Sequence, residues 1–307
     1  MTTHSHNNSS SSLNATNLGE LSICQNELSQ AEGITFTVLS LTCGVLAVGG
    51  NFALIVALYR TSTVGLRVNN YFIGSLAFAD FLIGLTMTPL YICYALATYV
   101  DLWVVKLESF LWIVTVTATT YSLIAVSLDR LISVLYPLRY HQLMTEKRCR
   151  SAIALIWFGS FIFGFPRLVI DDINKLRRFW ISCSVSTVVI PLIILCLCYG
   201  RIYSVVHKQN RTVAPSELST AGVRNKKAVK TIGIIVSLFI ITFTPSAVVY
   251  FLLLFEKDFC QQMILNHAWI WVAFVSFTHS AFNPWVYGLR YPELRNSLKH
   301  SFVNSNI

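Results

Sequence analysis

The chain has 307 residues, 54% of them hydrophobic and only 12% charged, where a soluble domain carries about 25% charged residues. Those figures exclude a disordered chain, a collagen or coiled-coil rod and a soluble single-core enzyme, and they make the membrane the default solvent. The formal charge of +9 raises a nucleic-acid surface, which the placement of the charges then removes, and eight cysteines are too sparse for a disulfide scaffold.

In chain order, residues 1–33 are rich in Ser, Asn and Thr, lack Lys and Arg, and read as a disordered extracellular segment. Acceptor triplets at Asn7, Asn8 and Asn14 read as glycosylation sites or as chance products of a Ser/Asn-rich run. A hydrocarbon core about 30 Å thick needs about 20 apolar residues in a helix. Seven stretches meet or approach that: 34–59, 68–100 (broken only by Asp80), 109–128, 151–166 with 168–170 as an extension, 179–200, 231–255 and 259–289. No apolar run precedes Ile34, so the first span is expected to act as the insertion signal. Beyond the seventh, Leu294, Leu298 and Phe302 fall at i, i+4 and i+8, an apolar stripe for a helix at 292–302 lying on membrane lipid. No Cys follows it, so tail palmitoylation is not expected. The expected fold class is an all-α membrane protein, a seven-transmembrane helix bundle over 34–289 with a short amphipathic eighth helix and cytoplasmic tail over 290–307.

Segments 60–67, 129–150, 201–230 and 290–307 hold 17 of the 23 Lys and Arg and only the acids Asp129, Glu146, Glu217 and Glu293. Placed in the cytoplasm they give an inner side of +13 and an outer side of −3, with the N-terminus outside at the plasma membrane. The basicity is then an orientation signal and a face for anionic lipid, and nucleic acid is not an expected partner. Asp80 is the one acid deep in a span, and no Lys or Arg lies in any of the seven stretches. It is either a packing anchor bonded to Asn residues of neighbouring helices or a cation site, for which sodium is the natural occupant. One intramembrane acid and no internal repeat speak against the alternative of a seven-helix transporter or channel. His267 and His279 share the seventh span 12 residues apart without an Asp, Glu or Cys to complete a metal set, so no catalytic residue is expected.

Each span also carries a short motif: Gly50-Asn51 in the first, Leu76-Ala77-Phe78-Ala79-Asp80 in the second, and Asp129-Arg130-Leu131 then Tyr136-Pro137-Leu138 after the third. Trp157 marks the fourth, Pro191 and Tyr199 the fifth, Phe243-Thr244-Pro245 the sixth and Asn283-Pro284-Trp285-Val286-Tyr287 the seventh. Together, in this order and one set per span, they make the chain resemble a class A, rhodopsin-like G-protein-coupled receptor over about residues 34–302. The resemblance implies an extracellular agonist, a heterotrimeric G protein and arrestin as partners. It implies that Arg130, beside Asp129, is the G-protein-facing switch, with Tyr199 and Tyr287 as active-state partners and Leu138 docking into the G protein. It also implies a regulatory sodium ion at Asp80, Thr119, Asn283 and Asn51, and no other cofactor. Prolines 89, 166, 191, 245 and 284 free backbone carbonyls and kink helices, as a conformational switch needs.

Glu108, Trp112, Thr115 and Thr119 follow at intervals of four, three and four, so they share one face of the third helix. Arg130 lies 22 residues beyond Glu108, about 33 Å along the axis at 1.5 Å per residue. Glu108 is either a solvated helix-end acid or a pocket carboxylate suited to a cationic group. By the resemblance, the ligand set is Glu108, Trp112, Ile113, Val116, Cys183, Thr187, Phe243, Tyr250, Trp269 and Ala273. Trp112 stands where aminergic receptors carry their amine-binding Asp, which argues against a simple biogenic amine, and Phe277 stands where opsins carry the retinal lysine. Phe243 replaces the family's usual Trp. The family's disulfide from the third helix to the second outer loop is absent, since its helix position is Val105 and 167–178 contains no Cys. Melanocortin, cannabinoid and lysophospholipid receptors are similar in this respect, and 289–295 resembles their start of helix eight. Cys24 and Cys260, the two cysteines expected in outer segments, are expected to pair. At the inner end of the sixth helix, Asn225-Lys226-Lys227 lacks the acid many family members place there, so raised basal activity is expected.

Overall fold

The structure, a computed structural model, describes residues 29–62, 69–96, 100–212 and 220–290, with side chains described for 29–60, 70–96, 100–207 and 229–288. Asn7, Asn8, Asn14, Cys24 and the helix expected at 292–302 lie outside the described residues, and the side chain of Asn225 lies outside the described side chains.

With no water in the hydrocarbon layer, backbone N–H and C=O groups must pair within the segment, and the apolar stretches form helices. The first is Gln30–Ser62, the second Asn69–Leu96 and the third Leu102–Leu135. The fourth is Glu146–Gly164, extended by a turn at Pro166–Val169. The fifth runs Ile173–Ser184, passes a π-helical turn at Val185–Val189 and continues as Ile190–Thr212. The sixth is Thr220–Phe255 and the seventh Phe259–Arg290. Among the described residues six helical spans are long and apolar enough to cross a membrane. The seventh helix has the length, 32 residues, but carries His267, Ser276, His279, Ser280 and Asn283 along its faces.

The helix ends differ from the sequence expectation for one reason: a charge ends a charge-free stretch but does not end a helix. Lys106, Glu108, Asp129 and Arg130 lie inside the third helix, which starts where Asp101 Oδ1 accepts the Trp103 N–H at 2.7 Å and ends at Tyr136, before Pro137. Residues 167–178 are not a loop. Asp172 caps the fifth helix by accepting the Lys175 N–H at 2.8 Å, so only 170–172 link the fourth and fifth helices. Basic side chains also enter the bundle, contrary to expectation: Lys106 and Arg167 are buried.

The third helix is the most enclosed and the fourth the least. Large apolar side chains such as Leu155 and Phe158 point outward, while small polar ones mediate helix contacts. Ser75 and Ser122 hydroxyls share a 3.0 Å bond and Trp157 Nε1 donates to Ser75 Oγ at 3.1 Å, tying the second, third and fourth helices. A Cβ on Gly50 would stand 3.0 Å from Pro284 Cγ, so glycine lets the first and seventh helices meet beside Asn51. Pro89, Pro245 and Pro284 lie within helices, while Pro166 begins the turn that extends the fourth. Pro191 follows the π-helical turn: its missing N–H and the clash of its ring with the carbonyl four residues back favour a widened turn there.

Candidate functional site

Three groups of polar side chains occupy successive depths of the bundle. The middle group centres on Asp80, which is 0% exposed. Ser280 Oγ donates to Asp80 Oδ1 at 2.9 Å and Asn283 Nδ2 to Asp80 Oδ2 at 2.6 Å. Asn51 Nδ2 donates to the carbonyls of Ala47 at 2.8 Å and Ser280 at 2.9 Å. The three polar residues singled out in the first, second and seventh helices thus meet around one turn of the seventh. Ser280, absent from the sequence expectation, is the residue that joins them. His279 Nε2 lies 3.5 Å from Asp80 Oδ1, and its Nδ1 contacts the Ser276 carbonyl. Thr119 is fully buried, and neither its Oγ1 nor Asn283 Oδ1 has a hydrogen-bond partner among the described residues. A buried carboxylate with the unpartnered Asn283 Oδ1 on a residue bonded to it is a donor set that a hard, oxygen-seeking cation takes, so Asp80 and Asn283 fit a sodium ion.

Toward the Glu108 end, four rings from four helices form a closed circuit. Trp112 lies 6.0 Å from Trp180 and 6.2 Å from Trp269, and Tyr250 lies 5.4 Å from Trp180 and 5.3 Å from Trp269. Under them is a small cavity, with about 20 Å³ of water-accessible space, lined by Trp112, Cys183, Thr187, Phe243, Tyr250 and Trp269 of the expected set. Trp180, Ser184, Val188, Ser246 and Ala247 also line it and were not foreseen. Ile113, Val116 and Ala273 are each 0% exposed and do not line this cavity; Val116 and Ala273 pack in the apolar core. Glu108 is not a freely solvated acid: it accepts from Ser109 Oγ at 3.2 Å and has the Tyr91 hydroxyl as a second partner.

The cavity and the Asp80 group are in contact through rings. Phe243, on the cavity floor, stacks on Phe239 at 4.4 Å and meets the His279 ring edge-on at 5.2 Å. His279 is in turn the neighbour of Asp80.

At the opposite end Asp129 and Arg130 form a buried ion pair. Tyr140 donates its hydroxyl to Asp129 Oδ1 at 2.7 Å. Burial and the adjacent carboxylate push the Tyr140 phenol above the usual tyrosine range, so it stays a donor throughout the physiological range. Tyr287 is buried, and the Tyr199 ring packs against the sixth helix, 3.4 Å from where a Cβ of Gly233 would stand. Leu138 is 96% exposed beside this end.

Residues 50–287 match the family described as 7 transmembrane receptor (rhodopsin family). The chain is 28% identical over 296 residues to an adenosine receptor A2b of Gallus gallus, covering 85% of this chain and 86% of that one. It is 25% identical over 303 residues to the Homo sapiens adenosine receptor A2a, covering 86% and 71%, and 27% identical over 289 residues to the Homo sapiens histamine H2 receptor, covering 88% and 79%. The chain belongs to the rhodopsin family of seven-transmembrane receptors. It is a multi-pass membrane receptor coupled to G proteins, not a transporter or channel. The melanocortin, cannabinoid and lysophospholipid likeness rests on the missing disulfide and the 289–295 stretch alone.

Proposed function

We propose that this receptor sits in the plasma membrane with its N-terminus outside, takes an agonist from the Glu108 end into the cavity under the four rings, and carries no catalytic activity of its own. Ligand contact moves Phe243, the Asp80 group follows through His279, and Arg130 leaves Asp129 for Tyr199 and Tyr287 as the G protein docks over Leu138. Both end states exist before the ligand arrives, and the ligand shifts their populations. Arrestin and membrane lipid are the further partners of this reading. A sodium ion at Asp80, Thr119, Asn283 and Asn51 would neutralise the buried carboxylate and hold the resting arrangement. Cys260 carries a disulfide and the other six described cysteines are free, which supports pairing with Cys24.

The unbroken side-chain series Phe243–His279–Asp80 carries the reading. Basal activation of each main G-protein family in transfected cells tests it, wild type against Arg130→Ala at matched surface expression. A wild-type signal abolished by the substitution is expected. A signal that survives it would remove Arg130 from the switch, and a wild-type signal no higher than in mock cells would retract the raised basal activity.

A further inference from the structure

The Glu108 end holds a buried guanidinium, Arg167, with no salt bridge among the described residues. Arg167 is 6% exposed, and its Nε has no hydrogen-bond partner among the described residues. It stands in the turn Pro166–Val169, packed on the third helix. Its charge acts on Tyr94 of the second helix, Glu108 of the third and Tyr250 of the sixth, and Tyr250 lines the ring-walled cavity.

The acids around it are otherwise engaged. Asp101 and Asp172 cap helices, Asp171 pairs with Lys106 at 2.5 Å, Glu256 accepts the N–H groups of Lys257 and Asp258, and Glu108 has Ser109 and Tyr91. Two further buried donors, Tyr94 OH and Trp112 Nε1, lack partners among the described residues. A buried guanidinium without a hydrogen-bonded counter-ion costs free energy that the fold recovers only when something supplies acceptors. Of these donors Trp112 lines the ring-walled cavity and Arg167 acts on Tyr250 of the same wall; unpartnered donors so placed ask for an anion, and Arg is the side chain suited to a planar one.

We infer that the agonist is a small organic acid: a carboxylate or phosphate headgroup taken by Arg167, with Tyr94 and Trp112 as further donors, on an apolar or aromatic body held between Trp112, Trp180, Tyr250 and Trp269. This deepens the proposed agonist cavity and rests on it. The opposite reading, a cationic group held by Glu108 within the same rings, is an outcome of the test.

Thermal stability of the detergent-purified full chain reads binding without a G protein, so its result is separable from that of the signalling assay. The probes are matched sets at millimolar concentration: 3-phenylpropanoate, 4-phenylbutyrate and indole-3-acetate; their primary amides; the amines phenethylamine and tryptamine; and phenyl phosphate. At least one acid is expected to raise the midpoint, with its amide inert. Carboxylate against phosphate response separates the two headgroups. Arg167→Gln is expected to weaken the active acid tenfold or more, the scale of a lost charge-assisted bond. Arg167→Lys, which keeps the charge, is expected to retain part of the response and checks that the fold tolerates change there. Amines or amides that stabilise as well as the acids, an acid response that survives Arg167→Gln, or no response to any acid would overturn the assignment.

Discussion

A carboxylate at the depth of Asp80 costs several kcal/mol if left alone, so the residues that touch it determine whether the bundle holds. Ser280 and Asn283 supply the two donors. Hydrogen bonds to a charged group contribute about 1.5–3 kcal/mol each, so Ser280→Ala is expected to cost about that much in denaturation of the purified receptor. An unchanged midpoint would mean that another donor, or an ion, replaces the hydroxyl. Gly50→Ala acts by shape instead: the added Cβ meets the Pro284 ring at 3.0 Å, and a proline ring cannot swing aside. The expected loss is about 1–3 kcal/mol, with the Asn51 bond to the Ser280 carbonyl broken as well; full stability in a melting curve would disprove the close contact. Asp80, Asn51 and Asn283 were legible in sequence because polar side chains are rare in apolar spans. That they share a site was not, because it depends on contacts between residues up to 229 apart in the chain. Ser280 was missed because serine is an ordinary interface residue in membranes, and Arg167 because a basic residue after a proline reads as solvated loop.

Between elements, the absent disulfide has a non-covalent counterpart. Lys106, one residue after the position of the family's third-helix cysteine, reaches Asp171 in the three-residue link and lies over the Trp103 ring at 5.2 Å. Asp171 is 72% exposed, so solvent screens the pair and its contribution is about 0.2–1 kcal/mol. Asp171→Asn should therefore lower the melting midpoint by only a degree or two, and the charge-exchanged pair Lys106→Asp with Asp171→Lys should recover part of it. If the exchanged pair melts below both single variants, the ion pair is not what ties these elements. The helix count and order came directly from hydropathy. The π-helical turn did not, since Pro191 in the sequence announces a distortion without saying which; here the turn also lets Tyr121 donate its hydroxyl to the Ser186 carbonyl at 3.2 Å.

Across the whole molecule the sixth helix is the part with room to move. An apolar cleft of about 570 Å³ lies between it and the fifth along Tyr199, Tyr203, Gly233 and Ile241. Pro245 lies within the sixth helix, and Phe243, two residues before it, contacts His279. The Asp129–Arg130 pair, steadied by Tyr140, is one restraint at the Arg130 end. The family's acid at the inner end of the sixth helix would add a second restraint across the gap, and this chain has Asn225 in its place. Asn225→Glu is therefore expected to lower basal G-protein activation up to several-fold without changing surface expression, because by the family pattern a carboxylate there pairs with Arg130 and such a pair contributes about 0.2–1 kcal/mol to the closed state. Asp129→Asn should move the signal the other way by freeing the guanidinium. The two substitutions together separate the causes: if both act on Arg130, the double variant falls between the singles. If Asn225→Glu leaves the basal signal unchanged while Asp129→Asn raises it, the resting state is set within the third helix alone, and the missing acid has no part in it.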